Sequence, residues 1–181
     1  MIAFVLVAVL VTGTAFAQFD LMSYPPPLSG GNVLFDGGIG MAYTGYDGKW
    51  AFPPVFIQAE YCLPMLPLSV GASVSFYRWK YELSLLSVDY GFTLTVFTPA
   101  ARVNWHWGLN IDWLDIYTGI SLGYQVVNAK YNSSAVTTGA AASTFYWGGQ
   151  AGARFYFTEN IGAMIETGYP YWAKAGIALK F

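Results

Sequence analysis

The sequence predicts an all-β chain, an eight-stranded antiparallel up-and-down transmembrane β-barrel, on three observations. The first is composition: of 181 residues, 55% are hydrophobic, 19% aromatic and only 10% charged. A soluble domain carries roughly 25% charged residues, so this chain has too few to cover a globular surface in water. The second is the absence, beyond the N-terminus, of the roughly 20-residue apolar run that a membrane helix needs. Glycine, proline, serine or a charge interrupts every stretch. The third is an alternation of period two, which a barrel produces because lipid-facing and lumen-facing residues alternate along each strand. A net charge of −2 argues against a nucleic-acid partner.

Residues 1–17 hold an apolar run ending in the small-x-small site Ala15-Phe16-Ala17, and read as a cleaved signal peptide, although no Lys or Arg precedes the run. Residues 18–31 include a proline triplet, which suits an extended, solvated periplasmic lead-in. The barrel then occupies 32–181. Its strands are expected at about 33–44, 54–63, 68–80, 93–108, 114–127, 144–157, 161–168 and 171–181. Each reaches or exceeds the roughly 9–11 residues that cross a bilayer at a tilt, except the slightly short seventh. Short turns, "LPMLP", "GLNID" and "TEN", alternate with longer connections, "GYDGKWAF", "YELSLLSVDYGF" and "NAKYNSSAVTTGAAAS". Short periplasmic turns and longer outer loops are the usual asymmetry of such barrels. Pro99 interrupts the fourth strand, and a closed barrel has no free edge for a proline. A bulge or strand break is expected there.

The two faces differ in chemistry. The presumed lipid face carries no charge inside the hydrocarbon band; Arg78 and Lys80 share its parity only at the outer end of the third strand. Its aromatics gather toward two interfaces. Tyr61, Trp105, Trp107, Phe157 and Phe181 lie toward the periplasm, and Tyr43, Phe76, Tyr124 and Phe145 toward the outside. The presumed lumen face collects Asp36, Glu60, Asp115 and Glu166 against Arg102, Arg154, Lys174 and Lys180. Such a balance suits a narrow interior, where buried charges must be paired. Glycines share this face with Tyr77, Tyr117, Tyr146, Tyr156 and Trp172, and mixing small with large residues is how small barrels fill their lumen. A plugged lumen is expected.

No catalytic, cofactor or metal site is expected. The sole cysteine, Cys62, excludes an internal disulfide and reads as a small buried hydrophobe. Together with the lone histidine, His106, it offers no recognisable ligand spacing for a metal. "GGIGMAYTG" has closely spaced glycines but neither the Lys-Ser/Thr nor the helix of a phosphate cradle. The polar segment around residues 128–143 is the expected working surface.

The final residues, Lys174-x-Gly176-x-x-Leu179-x-Phe181, resemble the C-terminal insertion signal of bacterial outer-membrane barrels. Residues 32–181 resemble the OmpA/OmpX-like group of eight-stranded outer-membrane β-barrels, and "GARFYFTENIGAMIETGY" is similar to the penultimate hairpin of that group. The resemblance implies location in the bacterial outer membrane, contact with its lipid, and recognition of Phe181 and its neighbours by the barrel-assembly machinery. Some small outer-membrane barrels modify lipid A with a histidine, a serine and an acid. His106 is expected near the periplasmic end of its strand, away from outer-leaflet lipid. The function expected first is structural or adhesive, with a host or surface ligand met through the outer loops. A narrow pore for small solutes and a lipid A-modifying enzyme are the alternatives.

Overall fold

The computed structural model describes residues 22–42, 48–85, 88–133 and 139–181. The expected signal peptide, Tyr43 and parts of the three longer connections lie outside them. Eight strands follow one another: β1 (Val33–Ala42), β2 (Lys49–Cys62), β3 (Leu68–Leu85), β4 (Val88–Trp107), β5 (Leu114–Ser133), β6 (Gly139–Tyr156), β7 (Ile161–Gly168) and β8 (Tyr171–Lys180). Each pairs antiparallel with its neighbour in sequence, and β8 pairs with β1 to close the barrel. Closure leaves no free strand edge, which hydrocarbon would penalise. The burial of the strands alternates accordingly, with Trp147 74% and Ile57 67% exposed on the outside while Tyr117, Arg154 and Asp115 are fully buried within.

Several elements depart from the sequence reading. The connections "YELSLLSVDYGF" and "NAKYNSSAVTTGAAAS" are largely strand. β3 and β4 stay in register out to Leu85↔Val88, and β5 and β6 out to Lys130↔Gly139. Strands of 18 to 20 residues are about twice what a bilayer requires, so β3–β6 rise as a tall wall on the outer side while β1, β7 and β8 stop low. Above the lipid the outward face is no longer forced to be apolar, so polar residues such as Lys80, Glu82, Asn128 and Lys130 take that parity while backbone pairing continues. Side chains still bridge the strands there: Tyr81 stacks on Phe92 at 5.3 Å, and Phe92 meets Tyr131 at 6.2 Å. Similarly, Lys49–Phe52 belong to β2 rather than to a loop, and the register slips between Trp50 and Val55, around Pro53 and Pro54.

Pro99 causes no strand break. It pairs with Val74 in an unbroken β3–β4 register, and the β4–β5 ladder merely lacks its pairs at Thr98 and Pro99, resuming with no shift at Ala100↔Gly123. The missing N–H is thus accommodated by a local gap in one ladder.

In β8 the faces swap at one point. Trp172, expected in the lumen, is exposed at 48%, whereas its neighbour Tyr171 is buried. The β1–β8 register shifts between Met41 and Ala42, which pair with Ala173 and Tyr171. The extra residue of a bulge inverts every side chain beyond it.

The lead-in is not a solvated tail. Pro25 and Leu28 are buried, and Leu28 packs on Leu34, Cys62 and Tyr156. The Tyr24 hydroxyl lies 2.8 Å from the Leu68 carbonyl and 3.0 Å from that of Leu63, tying the segment to the β2–β3 turn. Gly31, at φ +94°, takes a left-handed conformation that suits glycine, and its N–H donates to the Cys62 carbonyl. Residues 24–31 therefore act as a strap across the periplasmic mouth. We expect a maleimide to leave Cys62 unlabelled in the folded barrel and to label it at least about tenfold faster in Leu28→Ala, because local opening governs access to a buried thiol. Equal rates in the two proteins would show that the strap does not cover Cys62.

Candidate functional site

The lumen is layered. At its outer end Tyr77, Trp79, Val96 and Tyr171 form an apolar cluster with Trp50 against it; Trp50 meets Tyr77 and Trp79 edge-on at 5.5 and 4.5 Å. At the periplasmic end lies the cluster under the strap. Between them sits the charge network, contributed by inward-facing residues of every strand.

Arg154 on β6 is its hub. Its guanidinium nitrogens donate to Asp36 of β1 (2.7 Å), Glu60 of β2 (3.1 Å) and Asp115 of β5 (2.9 Å). The guanidinium also lies 4.3 Å from the Tyr117 ring centroid. A planar fork with five donors is the side chain suited to serve three carboxylates at once. Arg102 on β4 is a second centre. It donates to both Glu166 oxygens and, at 2.7 Å, to the Gln58 side-chain Oε1; its Nε rests 3.4 Å from Glu60 without hydrogen-bond geometry. Lys174 donates to Glu166 at 2.6 Å, and so does Tyr117 at 2.9 Å. Glu60 thus lies between the two arginines.

Seven of the eight lumen charges expected from the sequence are brought together; Lys180 is not. Its ammonium donates to the Pro27 carbonyl of the strap and lies 5.1 Å from the Tyr156 ring centroid. His106 takes a place in the network instead. Its Nδ1 is 2.8 Å from Asp115 and its Nε2 is 3.0 Å from the Ser69 hydroxyl, which lies 2.7 Å from Glu60. If the Ser69 proton goes to Glu60, both ring nitrogens face acceptors.

Sequence reasoning put Gln58 and Gln150 on the lumen face but gave neither them nor Ser69 and Asn104 a place in the network; all four are buried. Gln58 donates to Asp36 and Gln150 donates to Asn104. Their signal was present: each is a polar residue at inward parity in mid-strand. Of the terminal motif, Lys174 faces the network, while Gly176 opposes Gly38 and Leu179 opposes Phe35 along the seam. Phe181 exchanges both backbone hydrogen bonds with Val33, at 2.8 and 2.9 Å, and its ring meets Phe35 at 6.0 Å.

Chemically the lumen offers opposite charges that pair with one another. A cavity of about 10 Å³, bordered by Phe56, Arg102, Tyr146, Gln150 and Glu166, has room for about one water. The larger concavities, about 520 and 600 Å³, are grooves on the apolar exterior beside Ile57 and Ile165. Among the described residues no group of three or more His, Cys, Asp or Glu side chains is arranged to hold a metal.

A closed barrel of eight antiparallel strands, apolar outside and charged within, has the architecture of a bacterial outer-membrane β-barrel. Solved structures share it. The chain is similar to Ail, the attachment invasion locus protein of Yersinia pestis, solved in complex with the heparin analogue sucrose octasulfate: 15% identity, 85% of this chain and 100% of that one covered, TM-score 0.56. It is similar to the N-terminal β-barrel domain of Pseudomonas aeruginosa OprF at 17% identity, with coverage of 85% and 100% and a TM-score of 0.54. No family model matches the chain, and no curated protein matches it.

Proposed function

We propose that the chain resides in the bacterial outer membrane as a plugged barrel, with a structural and surface-interaction role exercised through its tall outer wall. The observation that carries this reading is the ion-paired lumen, with an aromatic cluster packed at one end and the strap's cluster at the other. A pore would need water-filled space along the axis, and the paired charges bordering a cavity of about 10 Å³ support a plug instead. Further support for a surface role is the reach of β3–β6 beyond the membrane, and the likeness in fold to Ail, a protein named for attachment. The barrel-assembly machinery is the proposed reader of Lys174, Gly176, Leu179 and Phe181. Reconstituted into planar bilayers, the full chain is expected to give no steady current. A stable single-channel conductance, with a selectivity that changes on neutralising Arg102, would replace this reading with the narrow pore.

One observation favours a lipid-modifying enzyme: Ser69, His106 and Asp115 follow the contact order of nucleophile, base and orienting acid. Against it, all three side chains are fully buried, and the Ser69 hydroxyl is also hydrogen-bonded to Glu60. Lipid A acylation is expected to be identical in cells carrying the natural chain and His106→Ala. A difference between them would establish the enzyme.

A further inference from the structure

The chain has eight Lys and Arg residues. Four belong to the lumen, and the other four, Lys49, Arg78, Lys80 and Lys130, all fall on one patch of the exterior. The strand register shows how closely they gather. Lys49 pairs with Lys80, Lys80 with Thr93, and Thr93 with Lys130, so three lysines occupy one cross-strand row over β2–β5. Arg78 lies in the row below, with Phe52, Thr95 and Asn128. All four cations are exposed. Among the described residues the one acid in contact with them is Glu82, paired with Lys80; the side chains of Asp47 and Asp89 lie outside those residues.

Their height is set by the row beneath Arg78. There Val55, Phe76, Phe97 and Val126 align across the same four strands, and Phe52 packs against Phe76 at 5.5 Å. That row is the last apolar one. Two residues advance a strand by about 7 Å, or about 5 Å of height at a 45° tilt. Measured along its own strand, Arg78 thus stands about 5 Å and Lys80 about 10 Å above Phe76, and Lys130 about 10 Å above Val126, with side chains long enough to reach back down. The headgroup layer is itself about 5–8 Å deep. Lys49 and Lys80, directly opposed, repel one another on a bare sheet, and an anion between them removes that repulsion. The periplasmic turns carry the opposite sign, with Asp112 and Glu159 and no cation between Leu109 and Trp113 or between Thr158 and Asn160.

We propose that Lys49, Arg78, Lys80 and Lys130 form a docking surface for the phosphate groups of an outer-leaflet glycolipid. The inference rests on the outer-membrane placement given above but not on the plugged lumen. Phosphates at headgroup depth meet two rows of cations, while the acyl chains lie against the apolar rows below. The glycolipid then fixes the depth and rotation of the tall wall relative to the membrane.

The test uses the full chain in phosphatidylcholine nanodiscs doped with bis-phosphorylated lipid A or with its dephosphorylated counterpart bearing the same acyl chains. Lipid retained by the protein is measured by native mass spectrometry. The natural chain is expected to retain the phosphorylated lipid at least about tenfold better than the dephosphorylated one. The variant Lys49→Gln/Arg78→Gln/Lys80→Gln/Lys130→Gln is expected to lose that preference, and Lys49→Arg/Lys80→Arg/Lys130→Arg to keep it. Equal retention of the two lipids, an unchanged preference in the glutamine variant, or displacement by inorganic phosphate alone would each overturn the proposal. A gel shift between unboiled and boiled samples confirms that each variant is folded. Fractionation of the natural chain reports separately on membrane placement, so failure of either reading is visible by itself.

Discussion

Arg154→Met is expected to destabilise the barrel by about 3–5 kcal/mol, because it leaves buried carboxylates without their cation. Asp36, Glu60 and Asp115 all direct an oxygen at the Arg154 guanidinium, and all are buried. Asp36 keeps only Gln58 as a donor, Asp115 keeps His106, and Glu60 keeps Ser69 and the more distant Arg102. A loss of that size is a large fraction of the 5–15 kcal/mol that holds a typical domain together. The measurement is the urea midpoint of the barrel in detergent, read by the gel shift between unboiled and boiled samples. Arg154→Lys keeps the charge but not the fork that serves three partners, and should fall between the two. A midpoint for Arg154→Met within error of the natural chain would mean that water, not the arginine, compensates these acids.

The second large effect is expected at the seam. Gly38 and Gly176 face each other where β1 meets β8. A Cβ on Gly38 would sit 2.1 Å from the Ala175 carbonyl oxygen and 2.5 Å from the Gly176 Cα. Neither is the end of a flexible side chain, so the two strands would have to part. Gly38→Val is expected to cost about 3 kcal/mol and to yield chains that show no gel shift. Gly37 is the internal control. Its Cβ would meet the Ile57 side chain at 3.7 Å, an ordinary contact, on the outer face. Gly37→Ala should therefore behave as the natural chain does. Similar losses for the two positions would show that strand propensity, rather than close approach at the seam, is being measured.

Strand number, order and the lumen charges were legible because lipid imposes a strict polarity on alternate residues. Where that constraint ends, the reading ended too. Residues 81–85 and 128–133 continue their strands past the outward apolar rows; "YELSL" still alternates, but both segments carry polar residues at the parity where the lipid face is apolar, and so they read as loops. Trp172 was assigned to the wrong face because one bulge shifts the parity of everything beyond it, and a bulge leaves no trace in composition. Lys180 was counted with the lumen acids because parity records the direction a side chain takes but not its partner; the strap carbonyl at Pro27 takes it instead. His106 shows the converse. It was placed near the periplasmic end of its strand, yet its part beside Asp115 and Ser69 depends on β3, β4 and β5 lying side by side, which only the register supplies.

The order of pairing around the barrel also dictates a history for the chain. Seven of the eight ladders join strands adjacent in sequence, so each can zip from a local turn with little entropy lost to loop closure. The eighth joins the ends, Leu34 to Lys180, and can form only after the others have curved the sheet. Until that step the intermediate has two raw edges and an incomplete set of counter-ions, since Asp36 arrives at one end and Lys174 at the other. Completion is thus a late, concerted event in which the last ladder and the last ion pairs form together. A nascent chain halted before it would be the species most exposed to mispairing and proteolysis.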